Sequence, residues 1–304
     1  MTKRQKKLPF IKLAERMAGA MMCRIPNYKG AEVFLKVKFG KDPSLKETAD
    51  RENVALEVLK GLAVPNRVSI PKGEVARMVK QKHFAHVAMQ WAPGLGCWAR
   101  KFPTHQALAL WAFTVEQMVA FHRRDVLYTD FKHNHLRITD DFAHAEIVDF
   151  DSCVMVEKKG IYPTQYMVYS PDVSPPEFNF AKAHSERVVV YQMGMFLGAL
   201  LLKYFHNSDL NEKNLKKIKS RLVTGHARDI YHIFEKCLAP RPVDRIKDLE
   251  TLFSLIQKVT LPVRTYELWN KMRTPYKDSL AELGLLEPKA PQAKSSWKAR
   301  PKAA

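Results

Sequence analysis

Only four cysteines occur in 304 residues, Cys23, Cys97, Cys153 and Cys237, and none forms a Cys-x-x-Cys pair. That spacing excludes a disulfide framework and a thiolate zinc centre, and it fits a reducing cytoplasm. The 11 histidines show no metal-ligand spacing either. Long apolar runs are missing. The longest, Val188 to Leu202, is about 15 residues, short of the roughly 20 that cross a bilayer, so it reads as a buried helix. Leu8 to Ala20 is too broken by charge for the apolar part of a signal peptide. No internal repeat is visible. Acidic residues are also scarce, with 31 Asp and Glu against 50 Lys and Arg, a net charge of +19.

An excess of this size favours an anionic partner: nucleic acid, acidic lipid or a phosphorylated glycan. Basic tails account for part of it, through Lys3, Arg4, Lys6 and Lys7 at one end and Lys289, Lys294, Lys298, Arg300 and Lys302 at the other. No nucleic-acid-reading motif is present, so nucleic acid is not the favoured partner. A phosphorylated glycan, or peripheral contact with an anionic membrane at its inner face, fits better.

What is present is ordinary globular material, 46% hydrophobic and 27% charged. Residues 1–9 are a basic tail. Residues 10–25 suit a β-hairpin or a short helix, and periodicity does not choose. Pro26 to Gly30 signals a turn. Val33 to Phe39 alternates as a half-buried strand. Lys46 to Leu62 reads as a helix with Val54, Val58 and Leu62 along one face. Short strands are expected at Val68–Ile70 and Glu74–Val79, and Phe84 to Trp91 is an apolar run closed by Ala92-Pro93-Gly94. Helices are expected at Thr104–Arg123, Val188–Phe205, Asn211–Leu222, His226–Leu238 and Leu249–Lys258, with a last one near Tyr266–Met272. Residues 154–187 read as irregular, and 288–304 as disordered. A strand-rich part thus precedes a helix-rich one, with the boundary at Gln90–Gly94 and a cleft between them suited to a nucleotide. Trp91, Trp98 and Trp111 are expected to pack that boundary.

The densest chemistry lies between Phe121 and Asp151. Asp130 sits in a polar loop with Lys132, Asn134 and His135, and Asp149 ends the short apolar run Ala145–Val148. Two carboxylates on loops beside strands suit a base near a hydroxyl and a second acid on a metal.

These residues resemble the catalytic core of the protein-kinase superfamily. His122 to Asp130 resembles the helix end and catalytic loop, and Asp149-Phe150-Asp151 resembles the D-F-G metal loop. Val33-Phe34-Leu35-Lys36 resembles V-A-I-K, with Glu52 on the next helix. Ser174-Pro175-Pro176-Glu177 resembles A-P-E, Tyr191 to Gly194 resembles the start of the following long helix, and Arg245 resembles its late partner arginine. The resemblance covers about residues 10–260. It implies an α+β, bilobal fold with a small antiparallel-sheet N-lobe carrying one helix (10–91), a larger helical C-lobe (92–262) and an extension (263–304).

It also implies an ATP- and Mg-dependent phosphotransferase. Lys36 would hold the phosphates, oriented by Glu52, with Glu47 and Glu57 as rival partners and Lys38 as the rival lysine. Asp149 would bind magnesium, joined by Asn134 or His135, with His135 alternatively bonded to Asp130. Asp130 would accept the hydroxyl proton, with Lys132 beside the transferred phosphate. Gln90, Trp91 and Ala92 would be the hinge whose backbone bonds adenine, with Met89 or Ala88 lining the pocket. The chain departs from the family pattern in lacking a G-x-G-x-x-G before Lys36, where only Gly19 stands. Thr129 replaces an arginine, Asp151 a glycine and Val189 a bracing aspartate. His135 and Asp151 are similar to features of the bacterial lipopolysaccharide-core (Kdo/heptose) kinase group, so the acceptor hydroxyl is expected on a protein Ser/Thr or on such a sugar. The alternative is a pseudokinase acting as a binding module.

Overall fold

The computed structural model describes residues 11–16, 20–97, 101–155, 170–179, 185–223 and 228–285. The chain is α+β, with small antiparallel sheets concentrated in its N-terminal part and a mostly helical remainder. The two tails, Gly19, Trp98 and the segment 156–169 lie outside the described residues.

Strands β1 (Ile11–Arg16), β2 (Ala20–Tyr28), β3 (Ala31–Phe39) and β4 (Phe84–Gln90) form one antiparallel sheet in that order. The stretch that periodicity left open is therefore a hairpin. Lys29 and Gly30 close the β2–β3 turn at φ 52° and 88°, the left-handed pair that a tight hairpin needs. Val33, Leu35 and Val37 are buried on one face of β3, as alternation requires. The other face is not solvated, because Lys36 and Lys38 are each only 8% exposed. A buried ammonium needs partners, and that need shapes the site below.

Helix α1 (Pro43–Val58) covers this second face. Its N-cap Asp42 accepts from Ser44 N at 2.9 Å, and proline opens its first turn. Ala49, Glu52, Ala55 and Leu56 point inward at i, i+3 spacing. Of the expected face, Leu62 is buried and Val58 half-buried, while Val54 turns out to solvent. Residues 74–79, expected as a strand, belong to helix α2 (Lys72–Val79). Pro71 precedes it, Glu74 lies in its first turn and Arg77 in its last, and Val75 and Met78 are its buried pair. Gly94 (φ 82°) carries the chain past β4, where a Cβ would collide with the Ile138 carbonyl.

The helical part is built around α3 (Thr104–Arg123), buried without a break from Ala107 to Phe121. Against it pack α4 (Glu186–Leu202), α7 (Leu249–Lys258) and α8 (Val263–Arg273). Helices α5 (Glu212–Val223), α6 (Arg228–Cys237) and α9 (Lys277–Glu282) complete it. Trp111, expected at the boundary, sits inside this helical core and donates to Met193 O at 2.9 Å. Residues 263–285 pack onto this helical part. Tyr266, Trp269, Met272 and Leu280 join the main core. There Arg273 Nη2 lies 2.9 Å from Glu116 Oε1, and Trp269 Nε1 donates to Glu116 Oε2 at 3.1 Å. Among the described residues, no helix is long and apolar enough to cross a membrane.

Short strands bring the loops of interest together. Strand β6 (Val126–Tyr128) pairs with β9 (Cys153–Met155), and β7 (Leu136–Ile138) lies between β5 (Leu95–Gly96) and β8 (Ala145–Ile147). The loop after β6 carries Asp130 to His135. The loop between β8 and β9 carries Asp149 to Ser152.

Candidate active site

Lys36 Nζ donates to three carboxylates from two directions: Glu52 Oε2 at 3.2 Å from α1, then Asp149 Oδ1 at 2.5 Å and Asp151 Oδ2 at 2.9 Å from the loop after β8. Lys38, the rival, donates to Thr48 Oγ1 at 2.8 Å and to Asp151 at 3.3 Å. Glu52 is the chosen partner. Glu47 and Glu57 face Arg51 and Arg67 instead, each at 3.5 Å. Burial pushes Glu52 up to about 7, against the pull of Lys36. Its other oxygen accepts from Phe150 N at 3.2 Å, so this one side chain ties α1 to both the lysine and the loop. Burial also acts to raise Asp149, but Lys36 and the neighbouring cations outweigh it and hold the carboxyl well below the usual range. One oxygen from each of Glu52, Asp149 and Asp151 lies within 4.8 Å of the others, an all-oxygen set that suits a divalent cation.

Asp149 adopts a left-handed backbone (φ 73°, ψ 64°), which costs a non-glycine residue of order 1–3 kcal/mol. The Tyr128 hydroxyl rewards that conformation. It is fully buried and lies 2.8 Å from both the Val148 and Asp149 carbonyls. His135 Nδ1 meets the same hydroxyl at 2.7 Å, and His135 Nε2 lies 3.4 Å from Asp149 Oδ2. The expected bond from His135 to Asp130 is therefore replaced by contacts to Tyr128 and Asp149. Burial pulls the imidazole down to about 4, so it is neutral. Asn134 is exposed at the cavity rim.

Asp130 is 2% exposed, with Lys132 Nζ 3.1 Å and the Ser170 hydroxyl 3.3 Å from its Oδ2. Its Oδ1 is buried without a hydrogen-bond partner among the described residues. Burial raises its pKa and Lys132 opposes the rise, a balance that suits a carboxylate accepting a proton. The loop is held by a residue that sequence reasoning missed. Gln192 of α4, wholly buried, donates to Thr129 O at 2.7 Å and accepts from Phe131 N at 3.3 Å. One amide thus brackets Asp130 on both sides. It does the bracing expected of an aspartate at the Val189 position. Thr129 Oγ1 adds a bond to Ser152 O at 2.7 Å, joining the two loops.

A cavity of about 220 Å³ opens beside this cluster, below the roughly 300 Å³ from which ligand pockets usually start. Its walls include Lys36, Glu52, Met89, Gln90, Trp91, Ala92, Asn134, His135 and Asp149, so the expected cofactor and metal residues converge there. Asp130 and Lys132 do not line it. The expected backbone bonding to a base is narrowed, because Gln90 N donates to Asn66 O at 2.8 Å and Trp91 N to Glu32 O at 2.9 Å. Arg137, not anticipated, lines the cavity and bonds to the Ala92 and Gly94 carbonyls. The guanidinium groups of Arg24 and Arg137 lie 5.2 and 5.6 Å from the Trp91 ring, which gives the mouth a cationic border.

Farther off, Arg245 forms the expected pair with Glu177. It is bidentate, with Nη2 2.8 Å from Oε2, and the guanidinium also lies 4.9 Å from the Tyr191 ring. No protein-family model matches the chain, and no curated protein was found to be similar to it.

Proposed function

We propose that the chain is an ATP- and Mg-dependent kinase that transfers the γ-phosphate to a hydroxyl. The observation that carries this reading is the convergence of Lys36, Glu52 and Asp149 on the wall of one cavity, at the meeting of the four-stranded sheet with the loops after β6 and β8. The bilobal arrangement of the kinase superfamily accommodates these parts, with residues 10–91 as N-lobe and 92–262 as C-lobe. In support, the β2–β4 sheet and α2 pack a core of their own, distinct from the main one.

In this reading Lys36 holds phosphate oxygens, and Glu52 orients Lys36. Asp149 and Asp151 would hold the metal, which would supply neutralisation of phosphate charge. The buried, raised carboxylate of Asp130 takes the proton from the acceptor hydroxyl, and Lys132 neutralises charge on the group in transfer. The +19 charge favours an anionic acceptor, either a lipopolysaccharide-core sugar at the inner face of a membrane or a protein Ser/Thr.

A second reading, a nucleotide-binding module without transfer, is favoured by one feature: the Lys36 ammonium is engaged by three carboxylates. One experiment separates the two. Incubate the chain with labelled ATP and magnesium, offering a generic protein or purified lipopolysaccharide core. Transfer by the wild type and a fall of about 10³-fold in Asp149→Ala are expected. Nucleotide binding with no transfer to either acceptor selects the second reading, and absence of binding sinks both.

A further inference from the structure

A second cavity lies against a different face of α1 from the one that carries Glu52. Its volume is about 580 Å³, within the roughly 300–1,000 Å³ that ligand pockets span. Lys46, Asp50 and Asn53 form its α1 wall, at the i, i+4, i+7 spacing of one helix face. The floor is apolar, with Ile70, Phe84 and Ala88 all buried. The rim is cationic. Lys41, Lys72 and Lys82 line the cavity, are exposed, and have no carboxylate partner among the described residues. The two acids of the wall are already engaged: Asp42 accepts from Ser44 N at 2.9 Å as the cap of α1, and Asp50 pairs with Lys46. Arg67 is occupied as well, donating to Asn53 Oδ1 at 3.0 Å and to Glu57 at 3.5 Å. Three positive charges are thus left around one concavity. Lys72 is held at the edge of the floor, its ammonium 5.4 Å from the centre of the Phe84 ring. The field reaches the interior: burial lowers the His86 imidazole below its usual range, and Lys72 and Arg67 lower it further. Like charges gathered round a concave, low-dielectric wall raise the local concentration of a counter-ion. Both tails of the chain are basic, so neither can supply that anion.

We propose that this cavity binds a ligand carrying two or more phosphate groups, at a site separate from the one beside Lys36. Ammonium groups act as point charges without a preferred plane, which suits a freely turning phosphate better than a planar carboxylate. A single phosphate group brings at most about two negative charges at pH 7, fewer than the three positive charges of the rim. The apolar floor offers its surface to the uncharged part of the ligand, and the rim takes the charge. Soluble phosphate compounds and lipid headgroups present the same groups to such a rim, and the test separates them. The proposal stands whether or not the chain transfers phosphate.

The probes are inorganic tripolyphosphate in solution and phosphatidylcholine vesicles with and without cardiolipin, offered to the whole chain without nucleotide or added metal. Amide ¹H–¹⁵N spectra locate the tripolyphosphate, and flotation reads the vesicles. Tripolyphosphate is expected to shift the amides of Ser69, Lys72 and Lys82 and to saturate them at one equivalent. Combining Lys41→Ala, Lys72→Ala and Lys82→Ala should weaken binding about 100-fold, and Arg at the same three positions, which keeps the charge, should restore most of it. All three side chains are exposed, so the variants keep the core intact. Removing the same charge elsewhere, by Lys213→Ala, Lys217→Ala and Lys219→Ala on the exposed side of α5, should weaken binding less than about threefold. Binding to cardiolipin vesicles alone, lost with the three rim lysines, would support the site and make its ligand a lipid headgroup. Equal losses from the two triple variants would mean general attraction to a chain of charge +19. That result, shifts confined to the surroundings of Lys36 and Asp149, or no binding of either probe at millimolar phosphate would each overturn the proposal.

Discussion

Two clusters of buried charge can be set side by side in this molecule. In the helical part, Glu116 of α3 meets Arg273 and Trp269 of α8, one carboxylate with one guanidinium and one indole N–H. Beside the sheet, Lys36 and Lys38 meet Glu52, Asp149 and Asp151, with the neutral His135 ring at the edge. The first has matched charge, lies in the packed core and fastens the C-terminal helices to α3. The second has more acceptors than donors, borders a cavity and contains a residue in a left-handed backbone conformation. A balanced buried pair contributes to the assembly of the fold, whereas an unbalanced one at a cavity is poised for a ligand.

The comparison would break most visibly at Arg273. Arg273→Ala leaves Glu116 buried without its cation and is expected to cost about 3–5 kcal/mol, read as a lower urea midpoint. Transfer per folded molecule should be unchanged; a loss of transfer without a loss of stability would mean that the first cluster is not simply a fastening. The two clusters should also answer pH with opposite signs. Burial pushes Glu116 up to about 7, so its contribution is full below its unfolded pKa and is lost as pH rises through about 7. Asp149 is depressed, so its contribution is lost only in strong acid. The stability advantage of wild type over Glu116→Gln should therefore shrink between about pH 4.5 and 7, by at most about 3 kcal/mol. A flat difference across that window would show that Arg273 keeps Glu116 ionised throughout. A smaller effect is expected at Gln192, where balanced bonds serve the site itself. Gln192→Leu should cost about 1–3 kcal/mol and lower kcat with little change in the KM for nucleotide, and Gln192→Glu should restore part of the rate by accepting from Phe131 N. Equal losses in both constants would make Gln192 a packing residue only.

Much of this was legible in the chain. Strand β3 announces itself by alternation, α3 and α7 by their apolar spacing, and the order of Lys36, Glu52, Asp130 and Asp149 by local motifs. The misses have physical causes. Glu74–Val79 reads as a short strand, although Pro71, Glu74 and the three-residue step from Val75 to Met78 signal the helix that forms there. Residues 263–285 looked thin because their few large side chains, Tyr266, Trp269 and Met272, share one face and bury it completely. Gln192, Arg137 and Tyr128 could not be found from spacing. Each serves the site through partners such as Thr129, Ala92 or Val148, brought near only by folding. Asp151 was visible as a departure from D-F-G, but its bonds to two lysines depend on both being buried on one face of β3.

The pair of Glu177 with Arg245 closes a long stretch of chain on itself, spanning α4, α5 and α6. Tyr191 lies under the Arg245 guanidinium and donates to Asn207, whose amide in turn donates to Pro171 O and Ser174 O. The closure behaves as a non-covalent clasp, and it gives that stretch a common fate. Amides in α5 and α6 should become accessible to deuterium in one cooperative opening rather than fraying helix by helix. Because α4 also carries Gln192, the same opening would release the loop that holds Asp130. The Asp130 loop would then be only as long-lived as that clasp.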